Sequence, residues 1–264
     1  MELVKEARKE EVGFMVERNI WEERSVEECW KVTGKPPVTV RWVDTDKGPP
    51  GTIFVRSRLV ARDFKGGDKD RDDLFAETPP LAAKRRLVSR AATKRKDGKW
   101  RKLLFIDARK AHLNPRCEED VYIHLPEECG VAKGKCGKLN FWLYGFRPAA
   151  AAWEKHYCAL LEKAGFNRGT GCGVVFWHDV RDISLAVHGD DFTFLSYGDT
   201  FEKTIVQMKA WYDVKIRGIL RGEAGDDTEV MILGRTLRWQ SGTMDIGYEA
   251  NIKYSAEVVK AMGL

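Results

Sequence analysis

No run of about 18 uninterrupted apolar residues occurs in the 264-residue sequence, and a membrane-spanning helix needs roughly that many. A transmembrane helix is therefore not expected, and neither is a membrane partner. Met1 to Glu11 alternates acid and base and offers no apolar signal core, which points to an intracellular chain, cytoplasmic or nuclear. The six cysteines, Cys29, Cys117, Cys129, Cys136, Cys158 and Cys172, contain no Cys-x-x-Cys pair. That spacing speaks against a zinc ribbon or a disulfide framework. His124, Cys129 and Cys136 are imaginable as ligands, but reduced, structural thiols are the better reading. Internal repeats and low-complexity tracts are also missing.

What is present suits a globular protein. Hydrophobic residues make up 43% and charged residues 32%, and the length suffices for one large domain or two small ones with a real core. Net charge is only +5, yet the positive charge is clumped. One run is Lys84-Arg85-Arg86, Arg90 and Lys94-Arg95-Lys96; another is Arg56, Arg58, Arg62 and Lys65. Such clumps suit a polyanionic partner, and equally a solvated helix face or strand edge.

Along the chain, Glu2 to Trp21 predicts a surface helix. Val38–Val43 and Thr52–Arg56 predict a hairpin across Asp46–Gly51, with Arg58–Arg62 as a further short strand. Lys65 to Asp73 has almost nothing to bury and predicts an exposed loop. Leu81 to Thr93 predicts a helix with a basic outer face. Lys102–Asp107 and Val121–Pro126 predict strands, and the alanine-rich stretch Ala149 to Ala164 predicts a helix. Val174–Trp177 is strand-like. Ser184–Leu195 predicts a hairpin around Gly189-Asp190-Asp191. A helix over Thr200–Tyr212, strands near 230–234, 236–239 and 244–246, and a helix-like tail from Ile252 follow. Because strands arrive as hairpins as often as singly, the pattern favours an α+β fold with a largely antiparallel sheet.

Read locally, Asp190-Asp191 is either a solvated turn or a pair of ligands, and Asp107 is either a helix N-cap or a ligand. If the strand ending at Asp107 lies beside the hairpin, three carboxylates meet at one sheet edge, a constellation too costly without cations. Oxygen-rich sites of this kind hold Mg²⁺, and paired ions about 3.5–4 Å apart serve phosphoryl transfer. Basic clusters nearby would then hold phosphates of substrate and template.

At these residues the sequence resembles the reverse transcriptase domain of copia-type LTR retrotransposons. Arg56-Ser57-Arg58-Leu59-Val60-Ala61-Arg62-Asp63-Phe64 resembles the Lys-Ala-Arg-Leu-Val-Ala-x-Gly-Phe block of the fingers. Leu74-Phe75-Ala76-Glu77-Thr78-Pro79-Pro80 is similar to Thr-Phe-Ala-Pro-Val. Ile106-Asp107-Ala108-Arg109-Lys110-Ala111-His112-Leu113-Asn114-Pro115 resembles Asp-Val-x-x-Ala-Phe-Leu-Asn-Gly, the first catalytic motif. Asp120–Pro126 is similar to Val-Tyr-Met-x-x-Pro, and Leu143-Tyr144-Gly145-Phe146-Arg147-Pro148 with Trp153 to Leu-Tyr-Gly-Leu-Lys-Gln-x-x-x-x-Trp. Val187-His188-Gly189-Asp190-Asp191 stands where the family has Tyr-Val-Asp-Asp, and Ile232-Leu233-Gly234 resembles Leu-Leu-Gly.

The resemblance implies a right-hand polymerase, α+β, with a largely antiparallel palm sheet and a thumb missing or barely begun at Leu264. Fingers and an N-terminal extension would occupy approximately residues 1–100. The palm, with part of the fingers, would occupy 101–240, and the start of a connection or thumb 241–264. It further implies RNA-directed DNA synthesis on a primer 3′-hydroxyl, using two Mg²⁺ or Mn²⁺ ions, an RNA or DNA template with primer, and deoxynucleoside triphosphates. By position, Asp107 and Asp190 would ligate the ions and Asp191 would support them. Arg58 and Arg62 would contact triphosphate or template, and His112 would take the place of an aromatic residue next to the incoming sugar. Three departures stand out: Pro148 replaces a glutamine lying against nucleotide and template, His188-Gly189 replaces Tyr-Val, and Pro115 replaces a glycine. Two other readings stay open, a decayed fragment that only binds nucleic acid and a metal-dependent phosphohydrolase.

Overall fold

In a computed structural model, the described residues are 2–49, 51–63, 74–94, 96, 98–221, 223–250 and 252–263. Phe64, the expected loop Lys65–Asp73, Arg95 of the basic run, Asp97 of the turn after it, and Gly222 lie outside them. The chain divides into two compact units, Met1–Ala76 with Lys110–His156, and Glu77–Arg109 with Tyr157–Leu264. No helix among the described residues is long and apolar enough to cross a membrane.

The first unit begins with α1 (Glu2–Glu17), which buries Val12 and Met15. Strand β1 (Trp21–Ser25) and helix α2 (Val26–Thr33) follow, two elements that hydrophobic periodicity did not disclose. Strand β1 is almost wholly polar, Trp-Glu-Glu-Arg-Ser, because it is an edge strand, pairing only with β6 (Lys135–Leu139), which β5 (Tyr122–Ile123) flanks on its other side. Helix α2 starts where Ser25 Oγ accepts a hydrogen bond from the Glu28 N–H at 3.1 Å, satisfying one of the orphan donors of the first turn. It stops at Gly34, whose positive φ of 66° lets its N–H reach the Trp30 carbonyl. We expect Ser25→Ala to cost about 1 kcal/mol of stability, measured by chemical denaturation; an unchanged midpoint would show the cap to be idle.

Strand β2 (Val40–Asp46) pairs with β3 (Val55–Ala61) over its whole length. The two short strands expected on either side of Ser57 are thus one. Ser57 does not interrupt it, because the buried hydroxyl donates to Asp44 Oδ1 across the ladder at 2.6 Å. The connection is closed by Asp46 Oδ1, which accepts from the N–H groups of Gly48 and Phe54. Met15, Ile20, Leu59, Ile123, Leu139, Trp142, Leu143 and Phe146 form the core. The Tyr144-Gly145 turn lies against the end of β3: Ala61 N–H donates to the Tyr144 carbonyl at 2.7 Å.

The second unit is built on a six-stranded antiparallel sheet in the order β11-β4-β10-β9-β8-β7. Its strands are β4 (Lys102–Ala108), β7 (Asn167–Arg168), β8 (Val175–His178), β9 (Ile183–His188), β10 (Asp191–Ser196) and β11 (Val214–Leu220). Strand β4 reads Leu103-Leu104-Phe105-Ile106 without alternation because both its faces are covered, and all four residues are buried. On one face Leu103, Phe105, Ala186, Leu195 and Leu220 meet Leu87 and Ala91 of α3 (Leu81–Ala91). They also meet Val230, Leu237 and Trp239 of a second, three-stranded sheet, β12 (Glu229–Ile232), β13 (Arg235–Gln240) and β14 (Asp245–Ala250). On the other face Phe192 and Phe194 stack at 6.3 Å. There Tyr157 of α4 (Ala149–Lys163) meets Phe192 edge-on at 5.6 Å. Helices α5 (Gly198–Trp211) and α6 (Ile252–Ala261) complete the element order. The mixed α/β architecture with antiparallel sheets agrees with the expected class.

Candidate active site

The carboxylates converge through strand register. Strand β10 pairs with β4 so that Asp191 stands opposite Asp107, and with β9 so that Asp191 stands opposite His188. Residues directly opposite in antiparallel strands share one face with Cβ atoms about 5 Å apart, so Asp107, Asp191 and His188 form a row across three strands. The same face carries Phe105 and Leu103 in the core beneath. Asp107 does not cap a helix. It lies inside β4, and the following segment turns through Lys110, in the left-handed region at φ 52°, into the single 3₁₀ turn Ala111–Leu113.

Gly189 and Asp190 make the two-residue turn between β9 and β10, with Gly189 at φ 63° and Asp190 at negative φ, the pattern of a type II′ hairpin. The turn is stitched to the neighbouring strand, because Ala108 N–H donates to the Asp190 carbonyl at 2.8 Å. Asp190 itself is exposed at the tip, whereas Asp191 is half-buried. Asp191, not Asp190, is therefore the residue set against Asp107.

Like charges gather here without full compensation. Burial, then the charges of Asp190 and Asp107, push the Asp191 carboxyl up to about 6. Two basic residues that periodicity did not single out oppose them. Arg217 of β11 reaches Asp107 Oδ1 at 3.1 Å, and Lys84 of α3 donates to His188 Nδ1 at 3.0 Å. Burial lowers the Lys84 ammonium from its ordinary value. Burial first, then Lys84, lowers the His188 imidazole, which keeps it a neutral acceptor for that ammonium. Lys84 was visible only as one charge in a basic run. Arg217 lies on a strand that the sequence did not announce.

The oxygen-only donor set suits Mg²⁺ or Mn²⁺. Among the described residues no three His, Cys, Asp or Glu side chains close into a metal cage. Magnesium takes one or two carboxylates and fills its remaining positions with water and substrate phosphate, so the row of Asp107 and Asp191 fits that ion. The six cysteines are free thiols, and burial pushes Cys117 and Cys136 up to about 11 and Cys129 up to about 12, which leaves them protonated and inert.

The other residues singled out in the sequence belong to the first unit. Arg58, opposite Val43 on β3, places its guanidinium 5.8 Å from the Tyr144 ring. His112 meets the same ring edge-on at 5.1 Å, so Tyr144 gathers both. Arg62 is exposed just past the strand, its N–H bonded to the Thr39 carbonyl. Pro148 is buried immediately ahead of α4, and its carbonyl accepts the Ala152 N–H at 2.9 Å. A helix start is a position that tolerates the missing proline donor.

In the second unit a cavity of about 660 Å³ opens between α3 and the β8–β9 edge, lined among others by Arg86, Leu87, Arg90, Trp177 and Ser184. Arg90 donates to Ser184 Oγ at 2.7 Å. Ser184 and His188 alternate along β9 on one side, so the cavity continues the face that carries the carboxylates.

Comparison with known proteins bears on this arrangement. Residues 27–223 match the family described as reverse transcriptase (RNA-dependent DNA polymerase). A curated relative, the Retrovirus-related Pol polyprotein from transposon TNT 1-94 of Nicotiana tabacum, is 25% identical over 166 residues, which cover 60% of this chain and 12% of the relative. Residues 27–223, matched by the family, take in α3, the row Asp107, Asp191 and His188, and the strand that carries Arg217. The chain belongs to the reverse transcriptase family, as a retrotransposon-type reverse transcriptase domain.

Proposed function

We propose that this chain is an RNA-directed DNA polymerase domain that adds deoxynucleotides to a primer 3′-hydroxyl, with Asp107, Asp190 and Asp191 as its catalytic carboxylates. One observation carries the reading: the register that sets Asp191 against Asp107 beside the Gly189-Asp190 turn. On this reading the second unit is the palm, and the first unit supplies most of the fingers.

Asp107 and Asp191 would hold a divalent ion, with Asp190 at the rim of the same site. Bound there, magnesium neutralises charge on a transferring phosphoryl group and acidifies an attacking hydroxyl. The chain's own part is to concentrate negative charge on a rigid sheet edge. Lys84 and Arg217 keep that charge bearable in the folded protein. Arg86 and Arg90 along the adjoining cavity would attract the phosphates of a nucleic-acid strand, and Trp177 offers a face on which a base can stack. In the first unit, Arg58, Arg62 and the Tyr144–His112 pair are the residues we assign to triphosphate, template and sugar.

A second reading, a fragment that binds nucleic acid without copying it, is favoured by Pro148. Its ring offers no donor at the position where the family carries a glutamine. Primer extension on an RNA template with Mg²⁺ or Mn²⁺, beside an Asp190→Asn control, separates the two. Templated incorporation by the unaltered protein alone supports the polymerase. Equal incorporation by both proteins would sink it. Binding without incorporation, weakening steeply with salt, would establish the second reading.

A further inference from the structure

Strand β11 departs from regular pairing at one place. Val214, Lys215 and Ile216 stand opposite Ala108, Asp107 and Ile106, and then Gly218 takes the place opposite Phe105, so that Arg217 is the extra residue of a β-bulge. A bulge turns neighbouring side chains toward the same side and re-aims one of them. Here it brings the Arg217 guanidinium to Asp107 Oδ1 at 3.1 Å. The bulge has its own support. A Cβ on Gly218 would come within 2.7 Å of Asp227 Oδ2 and 2.8 Å of Val230 Cγ2, while that Asp227 oxygen accepts the Ile219 N–H at 2.8 Å. Residue 218 must therefore lack a side chain, and the bulge is fixed at Arg217.

The two partners are unequally housed. The Asp107 side chain is only 17% exposed, whereas that of Arg217 is 40% exposed. A carboxylate so enclosed, with Asp191 opposite it, needs a counter-charge. A guanidinium 40% exposed and held, among the described residues, by one ion pair is, by contrast, weakly tied and free to swing into water. Lys215, directly across from Asp107 in the ladder, forms no ion pair with it.

Resting on the polymerase reading above, we infer that Arg217 is a tethered, displaceable counter-ion for Asp107. It holds the carboxylate in place when no metal is bound, and it competes with the incoming divalent ion. Arg217 is thus a positioning residue that sets the metal affinity of the site, and the bulge at Gly218 is the device that puts it there.

The test is direct metal binding to the whole chain, followed by the loss of free Mn²⁺ signal in electron paramagnetic resonance and by calorimetric titration with Mg²⁺. Arg217→Gln should tighten binding about 2-fold to 5-fold, the worth of a partly exposed ion pair, and Arg217→Lys should return most of the difference. Lys215→Gln removes the same charge from the same strand and should change affinity by less than half as much. In a chelator, Arg217→Gln should melt below the unaltered protein, and saturating Mn²⁺ should close that gap. Binding that is unchanged or weaker in Arg217→Gln overturns the inference alone. So does an equal effect of Lys215→Gln, which would reduce it to general charge. No binding in any of the proteins overturns both this inference and the metal-dependent reading it rests on.

Discussion

Asp191→Asn is expected to do two opposite things: lower templated incorporation on the order of 10³-fold, and raise the melting temperature of the metal-free protein. The loss follows if Asp191 holds the ion, because such a site supplies several kcal/mol of transition-state stabilisation. The gain follows from the folded state itself, where burial and the charges of Asp190 and Asp107 disfavour an ionised Asp191. The sign can be followed through pH. The folded carboxyl titrates at about 6, above its ordinary value of 3.8, so the native state is penalised wherever Asp191 is ionised. Below about 4 the side chain is protonated in both states and asparagine confers nothing. As pH rises toward 6 the advantage of asparagine grows, and above that it levels off. With solvent screening we expect a plateau of about 1 kcal/mol, or roughly 2–4 °C. Thermal melts in a chelator from pH 4 to pH 8 check it. A variant that is less stable at every pH would contradict the crowding of charge described for this row.

Gly145→Ala is the second large effect, and it falls on the other unit. Gly145 sits at φ 87°, and a Cβ there would lie 2.2 Å from the Ala61 carbonyl oxygen, 2.6 Å from Val60 Cγ1 and 2.9 Å from the Ala61 nitrogen. Two costs add. An L-residue in left-handed backbone costs about 1–2 kcal/mol, and the collision must break the bond from Ala61 N–H to the Tyr144 carbonyl, about 1 kcal/mol or more. We expect a loss of at least about 2 kcal/mol in urea denaturation. Gly189→Ala makes the comparison clean. That glycine also has positive φ, 63°, but nothing lies within 4 Å of the added carbon, so only the backbone cost of about 1 kcal/mol applies. If the two variants lose equal stability, the close approach of the Tyr144-Gly145 turn to β3 is not what fixes residue 145.

Elements that bury one continuous run or one stripe were legible in the sequence. Strand β4, the hairpin of β9 and β10, and helices α3 and α4 all stand close to where periodicity and turn chemistry placed them. What escaped was non-local. Strand β1 is polar because it is an edge, and nothing in Glu22-Glu23-Arg24 announces a partner more than a hundred residues away. Strand β11 escaped because Gly218 interrupts the alternation Val214-Lys215-Ile216-Arg217, and the bulge that accommodates the break needs β4 beside it. Helix α2 is a different case. Ser25 followed three residues later by Glu28 is a local N-terminal signature, and it was open to reading. The site divides in the same way. Asp107, Asp190 and Asp191 can be picked out from strand ends and a turn, and the ordered motifs tie them together. That Asp191 rather than Asp190 stands against Asp107 is a matter of register, which a one-residue slip would reverse. The charges that balance them, Lys84 and Arg217, come from elements whose approach no spacing rule describes.

The central position of β4 also has a consequence for synthesis. Its two ladder partners, β10 and β11, follow α4 in the chain, so the apolar run Leu103–Ile106 leaves the ribosome well before the strands that cover it. Long-range pairing of this kind is slow, and it leaves an unpaired hydrophobic strand available to other chains meanwhile. Every nascent or truncated product that stops short of Ser196 carries a strand able to aggregate, and soluble yield depends on how fast the ribosome and the chaperones bring β10 to its side.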